Sequence, residues 1–161
     1  MRVVPFLTIL LIAQVGCNDD ECTTSVSRSR LNSVNQTQLA EDVAIISAYL
    51  GFHAITAIED PSGMRYVITH EGTGAKPCLE STITFKYKGM LLDGSVFDEN
   101  TTGLTYPLKQ LILGWQIVLP KLQAGTKATL YIPSGYGYGP NELPGIPANS
   151  NLIFEIELVS V

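Results

Sequence analysis

Histidine is scarce in this 161-residue chain, and what is missing narrows the chemistry first. Only two histidines are present, His53 and His70. Neither has a carboxylate or cysteine at metal-ligand spacing, so no metal centre is expected. No serine sits in a nucleophile-elbow pattern, which argues against a hydrolase. Gly135-Tyr136-Gly137-Tyr138-Gly139 is rich in glycine but is followed by no helical pattern, so it is not a dinucleotide fingerprint and no cofactor is expected. Internal repeats and a second domain are not evident. Charged residues make up only 16% of the chain against 45% apolar, the balance of a globular protein with room for one domain and its appendages.

Positive charge is also short, with ten basic against fifteen acidic side chains. An acidic surface of this kind repels nucleic acid and anionic headgroups, so neither is an expected partner. The one long apolar run lies at the start, where Arg2 precedes VVPFLTILLIAQV. At about a dozen residues it is too short to span a bilayer and has the form of a secretory signal, which makes the mature protein exported. Gly16-Cys17 follows it directly, as in a bacterial lipoprotein signal, and cleavage there would free Cys17 for lipidation. Gln14 departs from the apolar residue usual in such signals. The alternative is an ordinary signal cut near Gly16, with Cys17 in a disulfide. Either way residues 1–16 read as the signal peptide, and the localisation is a membrane lipoprotein facing the periplasm or the cell surface. The membrane is then reached through lipid alone. Three cysteines make an odd set; with Cys17 acylated, Cys22 and Cys78 remain, and their pairing stays open because sequence alone cannot bring two Cα atoms into range.

Residues 17–35 are polar and without an apolar period, so they read as a flexible tether, about 60 Å at full stretch. The spacing of Leu39, Val43, Ile46 and Leu50 predicts a helix, with Asn35 or Thr37 as its cap and Gly51 at its end. Its apolar stripe is too short for a strong dimer seam and is expected to pack on its own domain, leaving a monomer. Residues 54–58 and 64–69 flank Glu59-Asp60-Pro61-Ser62-Gly63 as a hairpin. The organisation that follows is an N-terminal helix and first strand over 36–61 and the main domain over 62–161.

The centre of that domain is KYKGMLLDGSVFD, residues 86–98. Ile83, Phe85 and Tyr87 alternate with Thr82, Thr84, Lys86 and Lys88 as in a half-buried strand, and Asp93-Gly94 supplies a tight turn back through Val96 and Phe97. Tyr87 and Phe97 can then share a face beside Asp98, an apolar pocket with one polar group. A loop over 100–103, a short extended piece around Pro107, a helix over 110–119, a strand over 127–132, a long Gly- and Pro-rich loop and a last strand over 152–158 complete the chain. The fold class is α+β, a curved antiparallel sheet wrapped over one short helix, with the N-terminal helix and tether appended.

KYKGMLLDGSVFD, LILGW, YIPSGYGYG and LIFEIEL, in this order, closely resemble the FKBP-type peptidyl-prolyl isomerases. The resemblance implies an FKBP-like fold and a peptidyl-prolyl cis-trans isomerase acting on proline-containing polypeptides. Its pocket would have Trp115 as floor and Tyr87, Phe97, Leu111, Ile112 and Phe154 as walls. Tyr138 would offer its hydroxyl to a substrate carbonyl, Asp98 would be the pocket aspartate, and Ile146 would lie in a flap with its backbone available. Taken singly, each wall residue is as readily core as site. The resemblance also implies macrolide ligands, but Leu104 stands where a second phenylalanine is common, and the helix reads Gly114-Trp115-Gln116-Ile117-Val118-Leu119-Pro120 where a Glu-Gly pair is usual. These departures bear on macrolide affinity more than on isomerase activity. The rival reading is a chaperone or binding module of the same fold with little turnover.

The N-terminal reading has a direct test. A Cys17→Ser change in the full-length chain should move it from the membrane fraction to the soluble one, and an unmodified protein that is already soluble with a free N-terminus refutes the anchor.

Overall fold

A computed structural model describes residues 22–161; Cys17, the apolar run and the proposed cleavage site lie outside them. The chain runs α1 (Arg28–Leu31), α2 (Gln36–Phe52), β1 (Ile58–Glu59), β2 (Arg65–His70), β3 (Thr82–Leu91), β4 (Val96–Pro107), α3 (Leu113–Val118), β5 (Lys127–Ile132) and β6 (Leu152–Ser160). One six-stranded sheet has the order β1-β2-β5-β6-β3-β4, antiparallel throughout. It is the expected α+β arrangement. Among the described residues no helix is long and apolar enough to cross a membrane.

Period-2 patterning decides what each face of the sheet covers. Ile83, Phe85, Ala128, Leu130, Ile132, Leu152, Phe154, Ile156 and Leu158 face one way and bury Trp115, Val118 and Leu119 of the α3 region. Close approach sets the helix here: a Cβ on Gly114 would sit 2.6 Å from the Ile132 side chain, so only glycine lets α3 press onto β5. The other face carries Tyr131 and Ile153, and Ile46 and Leu50 of α2 cover them. The α2 stripe is therefore spent within its own chain, as its length suggests. Asn35 caps it, its Oδ1 accepting from the N–H groups of Thr37 and Gln38.

Several expected boundaries shift. α2 runs past Gly51 to Phe52, and the left-handed residue after it is Ala54, with φ 54°. Because Ile55 N–H still bonds back to Leu50 O, the strand expected over 54–58 shrinks to Ile58–Glu59. The helix expected over 110–119 is α-helical only over Leu113–Val118, with 3-10 turns at Leu108–Gln110 and Leu119–Lys121. The loop expected at 100–103 is instead a bulge inside the continuous strand β4. Pairing jumps from Tyr87–Asn100 to Phe85–Leu104, while Asn100 Oδ1 accepts from Gly103 N–H at 2.8 Å. The turn chemistry was real, and the strand absorbs it.

The largest difference is in the tether. Residues 22–35 lie against the domain: Val26, Leu31 and Val34 pack on the main core, and Ser27 caps α1. Cys22 and Cys78 are joined, Cα to Cα 5.2 Å, and Leu79 N–H bonds Thr23 O at 2.8 Å beside the bridge. Scattered single apolar residues leave no period to read, yet each finds a seat. The boundary expected near residue 61 falls inside the β1–β2 hairpin, whose Asp60 pairs with Lys121 across the domain.

Closing a loop over a sequence separation of 56 restricts the unfolded chain by about 4 kcal/mol in the loop-entropy picture. A Cys22→Ser, Cys78→Ser variant should therefore lose about 2–4 kcal/mol in denaturant unfolding, with faster amide exchange over 22–35. An unchanged midpoint and slope would show that the segment docks without the bridge.

Candidate functional site

At the open edge between α3, β3, β4 and the 133–151 loop lies a cavity of about 110 Å³, room for several waters or one small ring. Phe85, Tyr87, Asp98, Leu104, Leu111, Ile112, Trp115, Tyr138 and Phe154 line it. Two larger hollows lie elsewhere, about 570 Å³ over the charged solvent face of the sheet and about 580 Å³ beside α1. Each has a single tyrosine in its lining, Tyr87 and Tyr136 respectively, and neither gathers a cluster of rings as the smaller cavity does.

Trp115, 3% exposed, is the floor. Three rings stand near-perpendicular or tilted around it, with Phe85 at 4.8 Å, Phe154 at 5.3 Å and Tyr87 at 5.7 Å between centroids. Such edge-to-face pairs add about 0.5–1.5 kcal/mol each beyond their area burial. Backbone thinning lets them assemble: a Cβ on Gly89 would meet Phe97 at 2.6 Å and Phe154 at 2.9 Å. Trp115 Nε1 is buried and, among the described residues, has no hydrogen-bond partner.

One polar pair borders this apolar floor. Tyr87 donates its hydroxyl to Asp98 Oδ2 at 2.6 Å, joining adjacent strands β3 and β4. Burial first, then that donation and the nearby carboxylate charge, pushes the Tyr87 phenol up to about 12. Tyr138 is raised as well, by burial and then by Asp98.

Of the residues singled out from sequence, Tyr87, Asp98, Leu104, Leu111, Ile112, Trp115, Tyr138 and Phe154 converge on the cavity. Phe97 and Ile146 do not line it. Phe97 packs edge-on to Phe154 at 5.5 Å and lies under Gly145 of the flap. Ile146 is buried, and its backbone is engaged rather than available: its N–H donates to Leu143 O and its carbonyl accepts from Leu143, both at 2.9 Å. Phe85 was missed as a wall, although the alternation that places Tyr87 also places Phe85 on the same face.

The floor is further fixed by Gln116. Fully buried, it donates to Lys109 O at 3.1 Å and Leu111 O at 2.6 Å and accepts from Arg30 of the N-terminal segment at 2.6 Å. Every bond that glutamine makes ties α3 to the cavity edge or the docked segment to α3.

The family model for FKBP-type peptidyl-prolyl cis-trans isomerases matches residues 74–159. The chain belongs to this family. Among similar proteins, the outer membrane protein MIP of Legionella longbeachae is 36% identical over 137 residues, covering 83% of this chain and 58% of that protein. The FKBP-type peptidyl-prolyl cis-trans isomerase FkpA of Escherichia coli K12 is 38% identical over 103 residues, 62% of this chain and 38% of its own. The chain thus spans about half the length, or less, of the curated relatives it matches. In structure it is similar to the crystal structure of Escherichia coli FkpA, with TM-score 0.65 and 33% identity over 78% of this chain and 63% of that one. A Pseudomonas syringae peptidyl-prolyl cis-trans isomerase gives TM-score 0.66 and 28% identity over 78% and 93%. The FKBP fold expected from sequence is therefore the fold observed.

The raised tyrosines fix the sign of an alkaline effect. The folded state holds Tyr87 neutral to about pH 12, whereas an unfolded tyrosine ionises near pH 10.0. Its contribution to stability is complete below the lower value and is lost as pH rises through the upper one. Tyr87→Phe should flatten the fall in unfolding free energy across this window, measured by denaturant titration at stepped pH. An identical slope in both proteins would show that Tyr87 is not the group responsible.

Proposed function

We propose that the protein is a peptidyl-prolyl cis-trans isomerase that accelerates the folding of exported polypeptides. The observation that carries this reading is the apolar cavity floored by Trp115 and walled by aromatic edges, with one carboxylate at its rim. Membership of the family and relatives named for that activity support it.

The reaction asks little of the protein in bond chemistry. Amide resonance holds the Xaa-Pro bond planar behind a barrier of ~18–20 kcal/mol. Rotation breaks no covalent bond, and it passes through a twisted amide that has lost its charge-separated resonance form. Water stabilises the planar, charge-separated amide, so an apolar enclosure favours the twisted one. An acceleration of ~10³–10⁴ takes about 4–5.5 kcal/mol off the barrier, within reach of desolvation plus one or two oriented dipoles. In this scheme Trp115 receives the prolyl ring, and Phe85, Leu111, Ile112 and Phe154 exclude water. Phe97 holds Phe154 upright and closes the flap side. Tyr138 donates to a substrate carbonyl, Tyr87 and Asp98 set the field at the rim, Leu104 extends the surface for flanking residues, and the buried Ile146 anchors the flap to the core. An acceptor on the bound chain would also satisfy Trp115 Nε1, a buried donor that otherwise costs about 1–3 kcal/mol.

The signal-like start and a relative named an outer membrane protein support export, with the chain held to a membrane by lipid on Cys17. The same pocket would admit a macrolide, with affinity reduced by the open wall at Leu104, which is 39% exposed. A monomer suffices for all of this, since the site is complete within one chain.

A protease-coupled assay on Xaa-Pro peptides tests the central reading, and a folded protein without acceleration would leave the binding-module alternative. Within the site, Trp115→Ala should cost most in kcat/KM, Phe154→Ala and Phe97→Ala less, each compared at equal folded fraction because truncating a buried aromatic costs about 3–5 kcal/mol of stability. Asp98→Val and Tyr87→Phe should each cost about ten- to hundredfold and combine non-additively, since they remove one hydrogen bond. If Asp98→Val alone abolishes activity while Trp115→Ala leaves it near wild type, the site works by a specific charge and the enclosure account fails.

A further inference from the structure

The wall that carries Tyr138 is held from outside the segment matched to the FKBP-type family. α2 buries a carboxylate: Asp42 is 1% exposed and forms no ion pair among the described residues. Its Oδ1 accepts from Gln38 Nε2 at 3.0 Å. Its Oδ2 accepts from the backbone N–H of Ser134 at 2.9 Å and from the Ser134 hydroxyl at 2.6 Å. A carboxylate taken out of water without a counter-ion is costly even when hydrogen-bonded. A helix needed only to cover Tyr131 and Ile153 would do better with an apolar residue there. A fully bonded polar residue in its place selects one geometry out of many that apolar contact would allow.

The geometry selected is that of the turn bearing Tyr138. Ser134 opens the 3-10 turn Ser134–Tyr136, and its carbonyl accepts from Gly137 N–H at 2.9 Å and Gly139 N–H at 2.8 Å, the two neighbours of Tyr138. Gly139 O in turn accepts from Asn149 N–H at 2.8 Å at the far end of the flap, and Asn151 Oδ1 lies 3.1 Å from Ser134 N, sharing its N–H. An unbroken chain of hydrogen bonds thus runs from α2 through Ser134 to both residues that flank Tyr138. Tyr138 itself lines the cavity.

We propose that Asp42 is a positioning residue for this site: by fixing Ser134 it sets where the Tyr138 hydroxyl points, so the N-terminal helix is a working part of the pocket rather than a spacer. The inference rests on the isomerase reading above, in which Tyr138 faces the substrate.

The test is a double-mutant cycle on the full mature chain, with kcat/KM for Xaa-Pro peptides measured well below each variant's thermal midpoint. Asp42→Ala should lower kcat/KM about tenfold, the scale of a misplaced catalytic group, with Asp42→Asn recovering part of the loss. In a Tyr138→Phe background the same change should cost less than about twofold, because the group it positions is gone. An equal loss in both backgrounds, or no loss in either, overturns the proposal and leaves Asp42 a purely structural latch. If Asp42→Ala does not fold, Ser134→Ala removes only the hydroxyl contact, keeps the N–H bond, and runs the same cycle. If the unmodified protein shows no acceleration, the isomerase reading has failed instead, and the cycle is read from prolyl-peptide affinity by the fluorescence of Trp115, the only tryptophan. Coupling to Tyr138 in that titration supports the positioning role, and its absence refutes it.

Discussion

The enclosure of one indole by three aromatic rings is the constraint on which the rest depends. Trp115 must be buried to be a floor, and it must leave its upper face open to be a site. Those demands meet because the sheet curves over a very short helix, six residues long, instead of a longer one that would fill the space. Gly114 and Gly89 are the two thin places in the backbone that allow this, one bringing α3 onto β5 and the other letting Phe97 and Phe154 lie over β3. Core and site are consequently the same residues. Stability and activity therefore cannot be separated by truncating the walls, and only the polar rim offers substitutions that leave the packing in place.

The N-terminal segment adds a second layer to that arrangement. It is joined to the domain at Cys78 and reaches the α3 side of the cavity through Arg30 and Gln116. On the opposite side Asp42 meets Ser134, and Val34 lies against Gly135. Both walls are thus braced by residues that precede the family-matched segment. α3 is short but buried along nearly its whole length, and these contacts add polar ties to its apolar packing. The proposed positioning role gives these contacts a function, since a cavity of about 110 Å³ that is to hold one ring in one pose needs walls that do not shift.

Legibility from sequence followed the kind of interaction involved. Period-2 alternation placed β5 at its observed bounds and put Tyr87 on the cavity face, because a strand's side-chain direction is fixed by the covalent backbone alone. Asp93-Gly94 gave the hairpin for the same local reason, and its Gly94 has φ 85°. The bulge at 100–103 was read as a loop, since the same asparagine and glycine serve either, and only the pairing partner distinguishes them. The docked segment 22–35 and the Asp42–Ser134 contact were not legible at all. Each joins residues far apart in the chain, 92 positions in the case of Asp42 and Ser134, and leaves no period, motif or composition signal behind. Phe85 is the instructive miss: its direction was known, and only the depth of the cavity decided that it was wall rather than core.

Asp98 raises a last question of magnitude, whether a rim carboxylate acts by its field or by its hydrogen bond. It is exposed, and at surface dielectric a unit charge about 4 Å from a dipole-bearing group acts through ~1–4 kcal/mol even against a full opposite charge, and through far less against the partial charges of an amide. Salt screens this further. The hydrogen bond from Tyr87 is short, at 2.6 Å, and bonds to charged acceptors contribute about 1.5–3 kcal/mol without depending on distance to the substrate. That bond fixes the Tyr87 hydroxyl on β4, and through it the ring that stands edge-on to Trp115 at 5.7 Å between centroids. On these magnitudes the enclosure scheme gives Asp98 the larger part in holding an aromatic wall in place, and its field the smaller part on a bound amide. In the proposed scheme the one charged group at the pocket supports the apolar enclosure, so a rim carboxylate is compatible with a site that works by excluding water.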